Sequence, residues 1–566
     1  MLLQLKRIVP GRSASLPAVV DRDGNLQTDG PGMADALRRH WTRVFAARRL
    51  DGDLRRSWFR VDAARHSGLK AAVRPAVADA GMWKLQRRDV RLAVDQSTGS
   101  SPGPDGVPYS AWRRLGPLAI DILHEAALEL ASASGSASLL SAFPLDGDGN
   151  TDFNLATMVF IPKKVDRVIN GTSCCEPGDV RPLSIVNTDN RLMANAVRLR
   201  VEPILEKVIS SAQRGFLPGR SMLQNVVEVD CEMRAASLQS DRAAAVFFDF
   251  AAAFPSLAHD YMLDVLRLLG LPLSFVYFVE NLYRGNGCKI SVAGELHAGF
   301  GIRAGIRQGC PLSPLLFALC GDVLLRRLLH ELPPNDVTRA YADDIGMVAS
   351  DIFVSAKIFA PLFHEFALIS GLALNLTKTV FVPLGDDTPQ GFREALERHL
   401  PGWGAAQVRG WATYLGFTLG PDAGNRGWTK ALAQYGRRAA LWSQLGLGLH
   451  HASVAYNVYI ASVVTFLLQL ETLPPEWPAL EAAAFRKLVP GPMSWILPSD
   501  LHVLGRHHGM PHDFVNLQEV SLAARLRVAT REASAVGGLR ISAKARRLDD
   551  LYCHTPFLFR GGRWRQ

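Results

Sequence analysis

Apolar residues recur along this chain with changing periods, and each change marks the end of an element. Over 33–49, Leu37, Trp41, Val44 and Phe45 stand at helical spacing. Arg38, Arg39, Arg43, Arg48 and Arg49 cover much of the rest, as a solvated basic face or, alternatively, a contact for RNA. Asp21-Arg-Asp-Gly-Asn25 predicts a hairpin turn, with the glycine supplying positive φ. Ser100-Ser-Pro-Gly-Pro-Asp-Gly106 is a rigid turn ahead of a helix over 110–130, and the small, Gly- and Ser-rich stretch 131–150 reads as a mobile loop or insertion. Residues 156–161 form a strand ended by Pro162-Lys-Lys164. A helix follows over 189–210, with Val197, Val201, Leu205 and Val208 on one face and Pro203 as a kink. The apolar run 244–249 predicts a buried strand ending on Asp249. Helices over 258–269, 312–329 and 356–370 are interspersed with short strands over 289–292 and 300–303 and with strand formers on both sides of Asp343-Asp344. Beyond Gly427 the chain is helical, down to a tail containing Lys544, Arg546, Arg547, Arg560, Arg563 and Arg565. The sum is an α+β fold with a mainly antiparallel sheet.

Composition narrows this. At 566 residues the chain suggests two to four domains or subdomains, and 48% hydrophobic against 20% charged residues describes a globular protein. Lys and Arg outnumber Asp and Glu by 63 to 53, so the net charge of +10 favours a polyanionic partner, nucleic acid before an anionic membrane. The seven cysteines form neither a Cys-x-x-Cys pair nor a Cys/His cluster, which argues against a disulfide framework or a zinc site and for a reduced, intracellular compartment. The N-terminus lacks the apolar core of a secretion signal. The most membrane-like stretch, 452–470, carries Asn457, Ser462, Thr465 and Gln469 and reads as a buried helix, not a span.

Candidate chemistry centres on Asp343-Asp344. Side chains alternate along a strand, but at a tight hairpin turn two adjacent carboxylates can face one cation. Hard oxygen ligands of this kind suit two divalent ions in phosphoryl transfer. Asp386-Asp387 and Asp549-Asp550 are also pairs, so the dipeptide alone describes a surface turn better than a metal site. Asp249, at the end of an apolar strand, could complete a three-carboxylate set. The loop Ala304-Gly-Ile-Arg-Gln-Gly-Cys-Pro311 offers glycines that admit close backbone approach, with Gln308 as donor and acceptor. Lys163, Lys164 and Arg181, in loops beside strands, suit a triphosphate, with ordinary surface cations as the alternative.

The wording and order of these stretches resemble the reverse transcriptases of non-LTR (LINE-type) retrotransposons. Ser101-Pro-Gly-Pro-Asp-Gly-Val107 is similar to the signature before the fingers. Phe160-Ile-Pro-Lys-Lys164 and Arg181-Pro-Leu-Ser-Ile-Val-Asn187, continued by Gln213-Arg-Gly-Phe-Leu-Pro-Gly-Arg-Ser221, resemble the first two fingers motifs. Motifs A to E are matched around Phe248 to Phe254, Gly305 to Pro314, Tyr341-Ala-Asp-Asp344, Gly371 to Lys378 and Tyr414-Leu-Gly-Phe417. The resemblance implies a right-hand polymerase: an N-terminal helical extension over 1–95, fingers and palm over 96–425, and a helical thumb with a basic tail over 426–566. It implies that Asp249, Asp343 and Asp344, with the Phe250 carbonyl, bind two Mg²⁺ ions (Mn²⁺ being the alternative ion). It also implies that Lys163 or Lys164 and Arg181 hold the triphosphate and that Phe254 crowds a ribose 2′-hydroxyl. Gln308, Gly309 and Tyr341 would line the substrate, and Lys378 would protonate the leaving group. The partners implied are template RNA, a DNA primer and dNTPs, with a nuclear place of work.

The chain departs from the family pattern at Ala251, Ala252 and Pro255, where charged residues and an Asp are usual. That change alters charge near the primer terminus and opens an alternative, a catalytically decayed or domesticated RNA-binding protein. A group II intron-like maturase shares several motifs but fits the Gln-Gly-Cys-Pro-Leu-Ser-Pro wording less well. Nothing before Ser101 resembles an endonuclease site and no zinc knuckle follows, which suggests a truncated or separate reading frame.

Overall fold

The computed structural model describes residues 16–60, 74–163, 167–385, 388–493 and 495–536. Lys164, Asp386-Asp387, Asp549-Asp550 and the basic tail lie outside the described residues.

The organising element is a five-stranded sheet made of β1 (Ala244–Phe248), β2 (Val337–Tyr341), β3 (Asp344–Ala349), β4 (Val380–Pro383) and β5 (Gln407–Val408), in the order β2-β3-β1-β4-β5. All pairs are antiparallel except β4 with β5. Every residue of the central strand β1 is buried, because the sheet divides two cores and each face of the strand enters one of them. Ala244, Val246 and Phe248 join Ile345, Met347 and Phe381 in the first core. Ala245 and Phe247 join Val348 and Val382 in the second. This is the two-residue period of a strand buried on both sides, which is why the sequence shows a continuous apolar run and no alternation.

The first core is closed by the helices Thr188–Val208, His259–Leu268, Ser313–Glu331 and Ile352–Ser370. In the last of these, Phe359 and Phe363 pack on Phe248, with ring centroids 5.3 and 4.5 Å away. The second core holds the helix Met222–Ser237, the hairpin Ala412–Tyr414/Phe417–Leu419 and the C-terminal helices Arg426–Ser443, Trp477–Leu488 and Leu517–Val536. A second sheet of four strands (Val180–Val186, Leu155–Pro162, Gly287–Val292, Glu295–Gly301) lies under the N-terminal helix Gly30–Val44, whose Leu37 and Trp41 are buried against it.

Several expectations are corrected. The helix expected over 33–49 runs Gly30–Val44 and stops because the Phe45 carbonyl accepts the N–H groups of Arg303 and Ala304, at 2.9 and 3.0 Å. The helix expected over 110–130 breaks at Gly116, whose φ of +56° and following Pro117 start a new helix, Pro117–Leu130. The stretch 131–150 is not a loop throughout. It contains the helix Gly135–Ala142, tied down by the Glu129 carboxylate accepting from Ser134 and Ser138 at 3.0 and 2.6 Å. Pro203, the expected kink position, lies inside the helix Thr188–Val208, as the sequence reading placed it. The stretch 452–470 is a succession of short helical turns and not one helix. Among the described residues, the helix long and apolar enough to cross a membrane is Ile352–Ser370, and its contacts are those of the first core just described.

Candidate active site

The three aspartates meet at one end of the central sheet. Asp249 follows the last residue of β1, and its carbonyl accepts the Asn375 N–H at 2.7 Å. With the Ala251 N–H donating to the Ala373 carbonyl at 2.8 Å, this makes an antiparallel bridge between Phe250 and Leu374. A residue in such a pair turns its own N–H and C=O to the opposite edge, here the edge on which β3 runs. The Phe250 ring meanwhile is buried beside Phe363, 6.0 Å between centroids.

Asp343 and Asp344 belong to the β2–β3 hairpin. Tyr341 pairs with Asp344, so Ala342 and Asp343 form a two-residue loop, and Ala342 takes the left-handed backbone with φ +58°. The alternation of side chains is broken there, as the sequence predicts for two neighbouring carboxylates acting together.

The electrostatics tie the groups into one cluster. Burial is the main influence raising all three carboxyls above their ordinary range. For Asp249 the charges of Lys378 and Lys163 partly offset it. For Asp343 the charge of Asp249 adds to burial and Arg181 opposes it. Asp344 is pushed up to about 7, by burial first and then by Asp343 and Asp249. Lys163 is driven downward by burial and then by the neighbouring cations Lys378 and Arg181, while Asp179 and Asp249 pull the other way. Its Nζ donates to the Gly178 carbonyl at 3.2 Å. Thus Asp249, Asp343, Asp344, Lys163, Arg181 and Lys378, scattered widely along the sequence, act on one another in space.

Among the described residues no three His, Cys, Asp or Glu side chains are closed into a ready metal cage. Mg²⁺ seldom uses such cages. It keeps waters and takes one or two carboxylates together with substrate phosphates. Three carboxylates that repel one another but share a sheet end fit ions that arrive with a triphosphate. Since folding raises these carboxyls, the folded state binds more protons than the unfolded one, and stability falls as pH rises from the ordinary carboxylate range through about 7. Asp344→Asn is therefore expected to raise the melting temperature of the metal-free protein at pH ~8 by about a few degrees. It should also shrink the further rise caused by Mg²⁺. Differential scanning calorimetry with and without the ion measures both.

The remaining candidate residues are tied to one another and to the neighbouring strands. Phe254 stacks on Phe317 at 4.7 Å with planes 9° apart and meets Phe216 edge-on at 5.9 Å; Phe216 in turn lies 6.5 Å from Tyr341. The Gln308 carbonyl accepts the Ser184 N–H at 2.8 Å, which fixes this loop to the strand that carries Arg181. Gly309 has φ +122°, and a Cβ there would lie 2.7 Å from the Ser184 carbonyl, so only glycine fits. The Ile306 N–H donates to the Phe254 carbonyl at 2.8 Å, joining the loop to the segment after Asp249. Pro255 is buried in the short helix Ala253–Ser256, within its first turn, where no N–H partner is needed, and it packs on Gly305.

The sequence reading gave no role to the buried polar residues behind the hairpin. Arg214 makes a two-pronged bond to Glu228, both arms 2.9 Å, and also donates to Asn225 at 2.8 Å. Arg339 of β2 bonds the same Glu228. Asn225 donates to the Tyr414 hydroxyl at 3.2 Å, reaching the second hairpin. The signal available in sequence was an Arg and a Glu on mostly apolar elements, which charge patterning alone assigns to solvent.

Residues 161–419 match the family described as reverse transcriptase (RNA-dependent DNA polymerase). The chain is similar to the Retrovirus-related Pol polyprotein from type-2 retrotransposable element R2DM of Drosophila melanogaster, 30% identical over 299 residues, covering 52% of this chain and 26% of that protein. It is also similar to the Transposon TX1 uncharacterized 149 kDa protein of Xenopus laevis, 29% identical over 252 residues, covering 42% of this chain and 19% of that one. A third relative, the Probable RNA-directed DNA polymerase from transposon BS of Drosophila melanogaster, is 25% identical over 178 residues, with 31% and 20% covered. The matched region thus spans about a fifth to a quarter of these relatives' length.

Proposed function

We propose that this chain, which carries a reverse transcriptase domain of the non-LTR retrotransposon kind, extends a primer 3′-end on an RNA template by nucleotidyl transfer. The observation that carries this reading is the gathering of Asp249, Asp343 and Asp344 with Lys163, Arg181 and Lys378 at the end of the central sheet, inside the matched span. On this reading the five-stranded sheet is the palm, the four-stranded sheet with its loops belongs to the fingers, and the helices from Arg426 onward are the thumb.

Asp249, Asp343, Asp344 and the Phe250 carbonyl are the residues that would hold two Mg²⁺ ions. Bound there, divalent ions lower the cost of ionising the primer hydroxyl and of charge on the leaving pyrophosphate. Lys163 and Arg181 are placed to neutralise the incoming triphosphate, with Lys164 as the family's neighbouring candidate. Lys378, within electrostatic reach of Asp249, is the proton donor to the leaving group. Gln308 and Gly309 bring backbone close to the nascent base pair, and Tyr341 sits beside the Phe216–Phe254 pair. The template–primer duplex is held chiefly by phosphate contacts on basic surfaces, hence salt-sensitively. The partners are template RNA, a DNA primer and dNTPs, and the place of action is the nucleus.

The stacking of Phe254 on Phe317 favours one position of its ring, which on this reading crowds a ribose 2′-hydroxyl. Phe254→Val is expected to raise the relative kcat/KM for ribonucleotides by about ten- to a hundredfold. Competing dCTP and CTP in single-nucleotide additions gives this ratio directly.

A second reading, an RNA-binding protein that keeps the fold without turnover, draws on Ala251, Ala252 and Pro255. Against it, Pro255 is accommodated in a first helical turn and the three carboxylates stay together. Primer extension by the full chain on an RNA template with dNTPs and Mg²⁺ separates the two. DNA product is expected; tight RNA binding without product would favour the second reading.

A further inference from the structure

This inference rests on the metal-site reading above and concerns what holds the site in shape. Gln213 lies 129 positions before the aspartate turn and is 2% exposed. All three of its side-chain bonds go to backbone at or beside the turn. Its Oε1 accepts the N–H of Ala342 at 2.9 Å and that of Gly215 at 2.8 Å, while its Nε2 donates to the Ala342 carbonyl at 3.1 Å. The main chain follows the same path: the Ala340 N–H donates to the Ala212 carbonyl and the Arg214 N–H to the Ala340 carbonyl, both at 2.9 Å. Gly215 lies so close that a Cβ there would stand 2.1 Å from the Ala342 nitrogen.

Ala342 needs such support. Two-residue hairpin loops usually place Gly, Asn or Asp where φ is positive, because a Cβ disfavours left-handed backbone. An alanine persists there only where its surroundings over-determine the conformation. Bonds to the N–H and the C=O of Ala342 fix the peptide planes before and after it, and the second plane is the one that leads into Asp343.

We propose that Gln213 is a positioning residue of the metal site, whose amide clamps both sides of Ala342 and so aims Asp343 and Asp344 toward Asp249. An amide is the side chain that supplies an acceptor and a donor in one rigid plane. A glutamate could accept both N–H bonds but could not donate to the Ala342 carbonyl. Leucine fills a similar volume and makes none of the three bonds.

The test uses the full chain with Gln213→Leu, Gln213→Glu, Ala342→Gly and the double variant Gln213→Leu/Ala342→Gly. Two metal readouts are taken, the Mn²⁺-induced rise in melting temperature and the Mg²⁺ concentration giving half-maximal primer extension, with template–primer affinity as the control. Gln213→Leu should need about tenfold more Mg²⁺ and lose most of the Mn²⁺-induced rise, with template–primer affinity within about twofold of wild type. Gln213→Glu, nearly isosteric, should move the same way and keeps the test decisive if the leucine variant does not fold. Ala342→Gly should restore much of the metal response in the leucine background, because glycine adopts the left-handed backbone unaided. An unchanged metal response in the Gln213 variants, or a lost response that glycine leaves lost, overturns the proposal. If wild type shifts with Mn²⁺ but makes no DNA, the polymerase reading fails while the melting shifts still decide the role of Gln213.

Discussion

Asp343→Ala is expected to lower the rate of nucleotide addition by at least about a thousandfold while leaving template–primer binding within about twofold. The size follows from the proposed role of Asp343 as a ligand of ions that would supply several kcal/mol of transition-state stabilisation, at about 1.36 kcal/mol per decade of rate. Binding should survive, because on the proposed reading the duplex is held through its phosphates by basic residues elsewhere. Nor should the fold suffer: the lost carboxyl is one that burial and Asp249 already push upward. Single-turnover extension and a mobility-shift titration measure the two quantities. A variant within about tenfold of the wild-type rate would remove Asp343 from the metal site.

The second large effect concerns stability. Glu228 is 7% exposed and is bonded by both Arg214 and Arg339. Removing one member of a buried ion pair costs about 3–5 kcal/mol, because the partner charge stays buried without compensation. Glu228→Ala strands two guanidinium groups and is expected to lose at least that much in chemical denaturation. Burial raises the Glu228 carboxyl, yet the bond to Arg214 and the charge of Arg339 outweigh it and hold it below its ordinary value of 4.5. Its contribution is therefore complete above pH 4.5 and disappears as pH falls through the lower folded value. Because Arg339 lies in β2, and its carbonyl accepts from the Tyr414 hydroxyl at 3.4 Å, catalysis should weaken with stability. A loss below about 1 kcal/mol would mean that solvent reaches this network.

How much of this was readable in the residues differs by level. The strand leading to Asp249, the helices Ser313–Glu331 and His259–Leu268, and the strand Gly287–Val292 follow from apolar period, since burial on a sheet or helix face imposes it. The partner strand expected over 300–303 instead runs Glu295–Gly301, with little of it buried, its place set by pairing with Gly287–Val292 and by no apolar period of its own. Boundaries set by tertiary bonds were not readable. Nothing local predicts that the Phe45 carbonyl will be taken by Arg303 and Ala304, or that Glu129 will gather two serines and turn an expected loop into a helix. The site divides the same way. Asp343-Asp344 could not be told from a surface turn by composition, and only the order of motifs around Asp249, Gln308 and Arg181 set it apart. The family pattern included Gln213 and Arg214 but not their purpose. For Gln213 that purpose lies in bonds to backbone atoms 129 positions away, and backbone atoms leave no trace in a residue pattern.

On the proposed function, Asp249, Asp343 and Asp344 carry out metal-dependent synthesis despite Ala251, Ala252 and Pro255 beside them. The most direct measurement is rapid-quench addition of one dNTP by the wild-type chain on a primed RNA template, followed as Mg²⁺ is raised from zero. No addition is expected without the ion, and the rate should rise more steeply than first order before saturating, as two ions require. Addition that is independent of Mg²⁺, or its complete absence at saturating ion while the RNA remains bound, would contradict it.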